Sequence, residues 1–150
     1  MSQLQAAGQV LYVDTDGGKV YFYHERRMHI NKTGRGMPKY RVIHTCDLKP
    51  GADTAAFERF MVSEFFPAKL KLPGCLQAQL LRGYRGGLPG AAQSRVDYAW
   101  ITLWESVERN NEVWSRDGEH ETPASQREPQ ARLYEFAATV TLVGGFVVAS

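Results

Sequence analysis

The feature that most restricts this chain is a hydrophobic period that keeps switching between residues 40 and 148. Residues 40–49 alternate, with Tyr40, Val42, His44, Cys46 and Leu48 on one face and Arg41, Ile43, Thr45 and Asp47 on the other. That is the two-residue repeat of a strand, closed by Pro50-Gly51. Asp53 or Thr54 can cap a helix, in which Phe57, Phe60, Met61, Phe65 and Ala68 recur at three- and four-residue steps as a broad apolar stripe. Pro67 would cost ~3 kcal/mol inside a regular helix, so the helix is expected to kink or end there, with Pro73-Gly74 as the stop. Leu76, Ala78 and Leu80 then alternate with Gln77, Gln79 and Leu81 in a second strand to about Tyr84.

A Gly-rich connection from Arg82 to Ser94 leads into a third strand, Val96–Glu105, with Tyr98, Trp100 and Trp104 on one face. Ser106 can cap a second, shorter helix to about Arg116, with Glu108 near its positive end. Residues 117–130 are polar, contain Pro123 and Pro129, and read as a long loop or a frayed extra turn. Leu133–Val148 closes the chain as an alternating apolar strand that Gly144-Gly145 can bend or split. The order is β-α-β-β-α-β, the split βαβ of ferredoxin-like α+β folds, with both helices on one face of four strands. The opposite face is apolar too and must be covered; face-to-face dimerisation does this and creates a closed barrel.

The first 38 residues stand outside this pattern. Residues 9–25 read as a β-hairpin turning at Asp16-Gly17-Gly18, and 31–38 as a linker or loop. The chain therefore divides into an N-terminal extension, 1–38, and a main domain, 39–150.

Composition narrows the function classes. A chain of 150 residues with 43% apolar and 23% charged residues can bury a core and is expected to be soluble. Its longest apolar stretch, Ala137–Ala149, is interrupted and shorter than a membrane span. The opening MSQLQAAGQV lacks the basic and apolar regions of a secretory signal, so the cytoplasm is the expected compartment. A net charge of +2 with interleaved signs gives no basic stripe, which argues against nucleic acid as a partner. Cys46 and Cys75 fall on different strands and are expected to be reduced and partly buried.

Three segments resemble the dimeric α+β barrel superfamily, which includes antibiotic biosynthesis monooxygenases, aromatic polyketide cyclases and stress-responsive barrel proteins. They are Val42–Gly51 with Phe57-Glu-Arg-Phe60, then Leu70-Lys-Leu-Pro-Gly74, and Trp100–Glu108 running into the second helix. The resemblance spans roughly residues 39–148; the N-terminal hairpin and the 117–130 segment lie outside the family pattern. It implies a homodimer whose subunits each enclose an apolar pocket for a small aromatic or polyketide-like substrate. It also implies chemistry without metal or flavin, carried by a few polar residues on pocket-facing strands.

Of those residues, His44 sits mid-strand on the face that the resemblance turns toward the pocket. An imidazole near its usual pKa of about 6.5 suits general-base work; the alternative is a buried histidine tied to one partner. His120, in Gly118-Glu-His-Glu121, matches the helix-end histidine of polyketide cyclases of this fold, or is a solvated loop residue. Tyr98, Trp100, Trp104 and Trp114 can stack on a planar substrate or serve as core and interface. Gln77 and Gln79 can hold a substrate carbonyl or face solvent. Arg82 and Arg85 can hold an anion, although RGYRGG has neither P-loop nor Rossmann spacing. His24 and His29 lack the further ligands that zinc requires. No Gly-x-Ser-x-Gly is present, and Cys46 reads as a small core residue. The leading reading is a cofactor-independent monooxygenase with His44 as base. A polyketide cyclase using His44 and His120, and a non-catalytic binding or stress-response protein with a filled barrel, are the alternatives.

Overall fold

The computed structural model describes residues 37–149, together with the backbone of three N-terminal strands, β1 (Ser2–Ala6), β2 (Gln9–Asp14) and β3 (Lys19–His24). β2 and β3 form the anticipated hairpin, with Asp14 opposite Lys19, and β1 adds a strand that the sequence did not announce. The turn at Asp16-Gly17-Gly18, most of the 31–38 linker and His29 lie outside the described residues, as does the side chain of His24.

The main body begins with β4 (Tyr40–Leu48), ended at Pro50-Gly51 as the sequence indicates. Asp53 caps α1 (Thr54–Phe60), accepting from the Ala56 amide at 3.0 Å. The helix does not end at Pro67. Instead, Met61–Phe65 form one π turn, in which the Phe66 amide reaches back to the Met61 carbonyl, and α2 (Phe66–Leu70) continues from it. A π turn shifts the hydrogen-bond ladder by one residue, and Pro67 falls in the first positions of α2, where its missing N–H leaves no bond unmade. Gly74 follows at φ 87°, where a Cβ would overlap the Arg109 side chain.

β5 (Cys75–Arg82) and β6 (Tyr98–Trp104) form the next hairpin. Ser106 caps α3 (Val107–Trp114) by accepting from the Arg109 amide at 3.1 Å. A small hairpin of β7 (Ser115–Arg116) and β8 (Glu119–His120) then turns at Asp117-Gly118, both at positive φ. The second half of the segment read as loop is helical: α4 (Ala124–Phe136) forms despite Pro129. It takes in Leu133–Phe136, which the alternation assigns to the last strand. Burial of Leu133 and Gln126 against the first helical segment holds it; the Gln126 amide donates to the Ala68 carbonyl at 2.9 Å. β9 (Ala137–Val147) is bent, not split: its register against β4 shifts beside His44, next to Gly144.

The seven strands form one antiparallel sheet in the order β1-β2-β3-β5-β6-β4-β9. Its last four strands have the ferredoxin-like order, which the N-terminal strands extend through β3 paired with β5. The core lies where the helices cover the sheet, built on Phe57, Met61, Phe66, Leu80, Trp100 and Trp104, all essentially fully buried. Each such side chain contributes about 1.5–3 kcal/mol by leaving water. Cys46 and Cys75 are buried and not joined in a disulfide. Among the described residues, no helix is long and apolar enough to cross a membrane.

Candidate functional site

A cavity of about 410 Å³ opens between the helices and one end of the sheet. Strand alternation decides which side chains reach it. Tyr40, Val42 and His44 come from one face of β4, and Trp100, Thr102 and Trp104 from the matching face of β6. These strands are paired with His44 opposite Trp100 and Tyr40 opposite Trp104. The two rings of the first pair stack, with centroids 5.2 Å apart and planes 13° from parallel. The bulged end of β9 adds Val140, Leu142 and Gly145; a side chain at Gly145 would overlap the Tyr40 ring.

The helices close the remaining sides. Phe65 and Lys69 come from the first helical segment, Asn110 and Trp114 from α3, and Gln130, Leu133 and Tyr134 from α4. The β7–β8 hairpin folds His120 back over Trp114, ring to ring at 6.2 Å and 15°. His44, His120, Trp100, Trp104 and Trp114 are therefore brought together at one cavity.

Tyr98, Gln77, Gln79 and Arg82 are not among its walls. The Tyr98 hydroxyl donates to Glu58 at 2.8 Å, and its ring packs on Phe57 at 4.8 Å. Burial and the Glu58 carboxylate push its pKa up to about 12, so it stays a donor. Arg82 donates to the same carboxylate from Nε at 3.0 Å and from Nη2 at 2.6 Å. Gln77 and Gln79 pair with Leu103 and Ile101, on the sheet face turned away from the helices. Arg85 is held by Asp97 at 3.0 Å and by the Ser94 carbonyl at 3.3 Å.

The electrostatics are set by burial. His44 is half-buried and, among the described residues, its Nδ1 has no hydrogen-bond partner and no second polar group completes a dyad at that atom. Desolvation, then the charge of Lys69, lower its pKa to about 4, so the ring is neutral throughout the physiological range. This is a weaker base than an unperturbed imidazole. Cys46, behind it on the strand, is pushed up to about 12 by burial and by Asp47 and Asp97, which leaves a thiol and no thiolate.

Sequence reasoning passed over several cavity residues, among them Thr102, Asn110, Gln130, Tyr134 and the charged Lys69. The lysine is 7% exposed, with Nζ 4.4 Å from the Trp114 ring centroid and 4.9 Å from that of Phe65. Burial draws its pKa down to about 8, countered in part by Cys75. The spacing Met61, Phe65, Lys69 contains the signal, but at the regular period each four-residue step drifts by about 40°, which puts Lys69 at the edge of the stripe, and the wider π turn brings it into line. At the regular period the stripe runs to Ala68 instead. Among the described residues, no three His, Cys, Asp or Glu side chains converge as a metal site would require.

The same fold occurs in SnoaB, a cofactor-independent oxygenase from Streptomyces nogalater. A variant of that enzyme matches with a TM-score of 0.53 and 15% identity, over 75% of this chain and 95% of its own. An ethyl tert-butyl ether d (EthD) family protein from Bacillus halodurans gives a TM-score of 0.49 at 17% identity, covering 75% of this chain and 98% of its own. A dimeric protein of unknown function and ferredoxin-like fold from Bacteroides fragilis gives 0.47 at 10% identity, covering 76% and 100%. No family profile and no curated protein matches the sequence. At 15% identity the first likeness establishes the fold alone, a ferredoxin-like α+β subunit, in agreement with the strand order.

Proposed function

We propose that the protein is a cofactor-independent oxygenase of monooxygenase type, acting on a planar aromatic or polyketide-like small molecule bound in the cavity. The observation that carries this reading is an aromatic-walled space holding the neutral imidazole of His44, whose buried Nδ1 no group among the described residues satisfies. A ligand hydroxyl or acidic C–H is the partner that atom lacks. The SnoaB likeness supports the class of chemistry.

In the proposed reaction, His44 takes a proton from an activated methylene of the substrate. The resulting carbanion donates its electrons to dioxygen and forms a C–O bond, giving a peroxide. The proton returns from the imidazole to the outer peroxide oxygen, the second methylene hydrogen leaves as a proton, and the O–O bond breaks to expel water. A methylene and dioxygen thus become a carbonyl and one water, and the substrate supplies every electron. The negative charge that builds beside the ring during the first step raises the imidazole's proton affinity above that lowered value. Trp100 fixes the ring plane by stacking. The working unit is proposed to be a homodimer, closed through the sheet face away from the helices. There Ile43 pairs with Ile101, while Arg41 lies between Leu103 and a half-exposed Phe146.

Oxygen uptake with a panel of aromatic polyketide-like phenols tests the reading. Wild type is expected to consume dioxygen, and a folded His44→Asn variant to lose about 100-fold or more of the rate, the scale of a removed general base. Product formed without oxygen uptake would instead establish cyclisation. That second reading draws on His44 and His120 lining the same cavity. Binding without turnover would leave a carrier.

A further inference from the structure

We propose that Lys69 is the counter-ion for an acidic oxygen of the ligand, so that the cavity selects planar aromatics with an ionisable hydroxyl and holds them as the anion. This deepens the reading above, on which it relies for the location of the ligand.

The argument starts from a missing charge. Lys69 points its ammonium into a wall made of Phe65 and Trp114. Among the described residues, the cavity lining contains no Asp or Glu and no carboxylate lies within ion-pair distance of Nζ. Buried charges in proteins are ordinarily paired. Two ring faces soften the cost of this one through their quadrupoles, but they carry no net charge to neutralise it. The His44 imidazole and the Thr102 hydroxyl, which share the cavity, are uncharged, and Thr102 already accepts from Trp104 Nε1 at 3.0 Å. An open cavity beside an uncompensated cation is therefore missing an anion.

Its kind follows from the surroundings. A lysine is a compact point charge, suited to one oxygen atom, whereas planar two-oxygen groups favour the fork of an arginine. The walls on either side are flat rings: Trp100 and Trp114 each already stack on a histidine. A phenolate fits both demands, with its oxygen at Nζ and its ring between the aromatic walls. An anion held there is also the electron-rich form that reduction of dioxygen requires.

Quenching of tryptophan fluorescence by 4-nitro-1-naphthol, its methyl ether and 1-naphthoate tests the assignment, at a pH where the naphthol ionises and Lys69 is still charged. Wild type is expected to bind the naphthol at least about tenfold more tightly than the ether, the lower end of the effect of a neighbouring opposite charge. In Lys69→Met and Lys69→Gln, this preference is expected to vanish while ether affinity is kept. Tighter binding of the naphthoate than of the naphthol would overturn the single-oxygen assignment. Equal affinity for naphthol and ether in wild type, a preference that persists in either folded variant, or failure of wild type to bind either compound would overturn the counter-ion role. None of these readouts involves dioxygen, so a protein without oxygenase activity can still pass this test, and an oxygenase can fail it.

Discussion

One face of β6 has two ends, and they are built on opposite terms. At Tyr98, the phenol and the Arg82 guanidinium both donate to the single carboxylate of Glu58, and Phe57 fills the space beside them. Further along the same face, at Trp100 and Trp104, the neighbouring imidazole and ammonium have no partner of the kind they need, and 410 Å³ stays open. The contrast teaches how to tell a fastening from a site. Where the chain supplies donor and acceptor together, polar residues tie helix to sheet. Where it supplies only one half, the other half is expected from a ligand.

The largest effect that can break this comparison concerns Lys69. Its folded pKa lies below the unfolded value, so the charged form costs stability wherever the lysine is protonated, and that cost is relieved as pH rises from about 8 toward 10.5. Lys69→Met is expected to raise unfolding stability by about 3 kcal/mol at neutral pH in urea titrations, with the gain shrinking above pH 8. A loss of stability would mean that the ammonium already has its partner within the fold. The next effect belongs to His44, whose folded pKa is also lowered. Its neutral form contributes stability that is complete above about 6.5 and is lost as pH falls toward about 4. Wild type should therefore lose about 2 kcal/mol over that window relative to His44→Asn, less than the full shift because the ring retains some contact with solvent. Glu58→Gln sharpens the other side: it should cost about 1 kcal/mol in unfolding and leave naphthol affinity unchanged. A shifted affinity would mean that the two ends of the face are not independent.

Much of this was legible. The alternation in residues 40–48 put His44 on one face with Tyr40 and Val42, which the family resemblance turned toward the pocket, and the aromatic alternation of β6 put Trp100 and Trp104 together on one face without deciding which face lines the pocket. Yet the same alternation grouped Tyr98 with them, because strand period assigns a face and says nothing about position along it. Only the Glu58 carboxylate, forty residues away in sequence, separates Tyr98 from the cavity. Pro123 and Pro129 hid α4, since a proline weighs locally against a helix that distant burial of Leu133 and Gln126 nonetheless secures. Lys69 was hidden by its company. Beside Lys71 it resembled a solvated basic spot, and a stripe extended at 3.6 residues per turn stops at Ala68.

The misplaced stripe points to what the π turn at Met61–Phe65 does for the molecule. It amounts to one residue more than an α-helix of the same reach would use. The same residues wound as a regular α-helix would bring Ala68 round to where Lys69 now stands, in a cavity with the same strands, the same rings and no cation. Whether this fold encloses a neutral chamber or a positively charged one is thus a matter of counting, settled within a helix, while the sheet that carries the imidazole is left untouched.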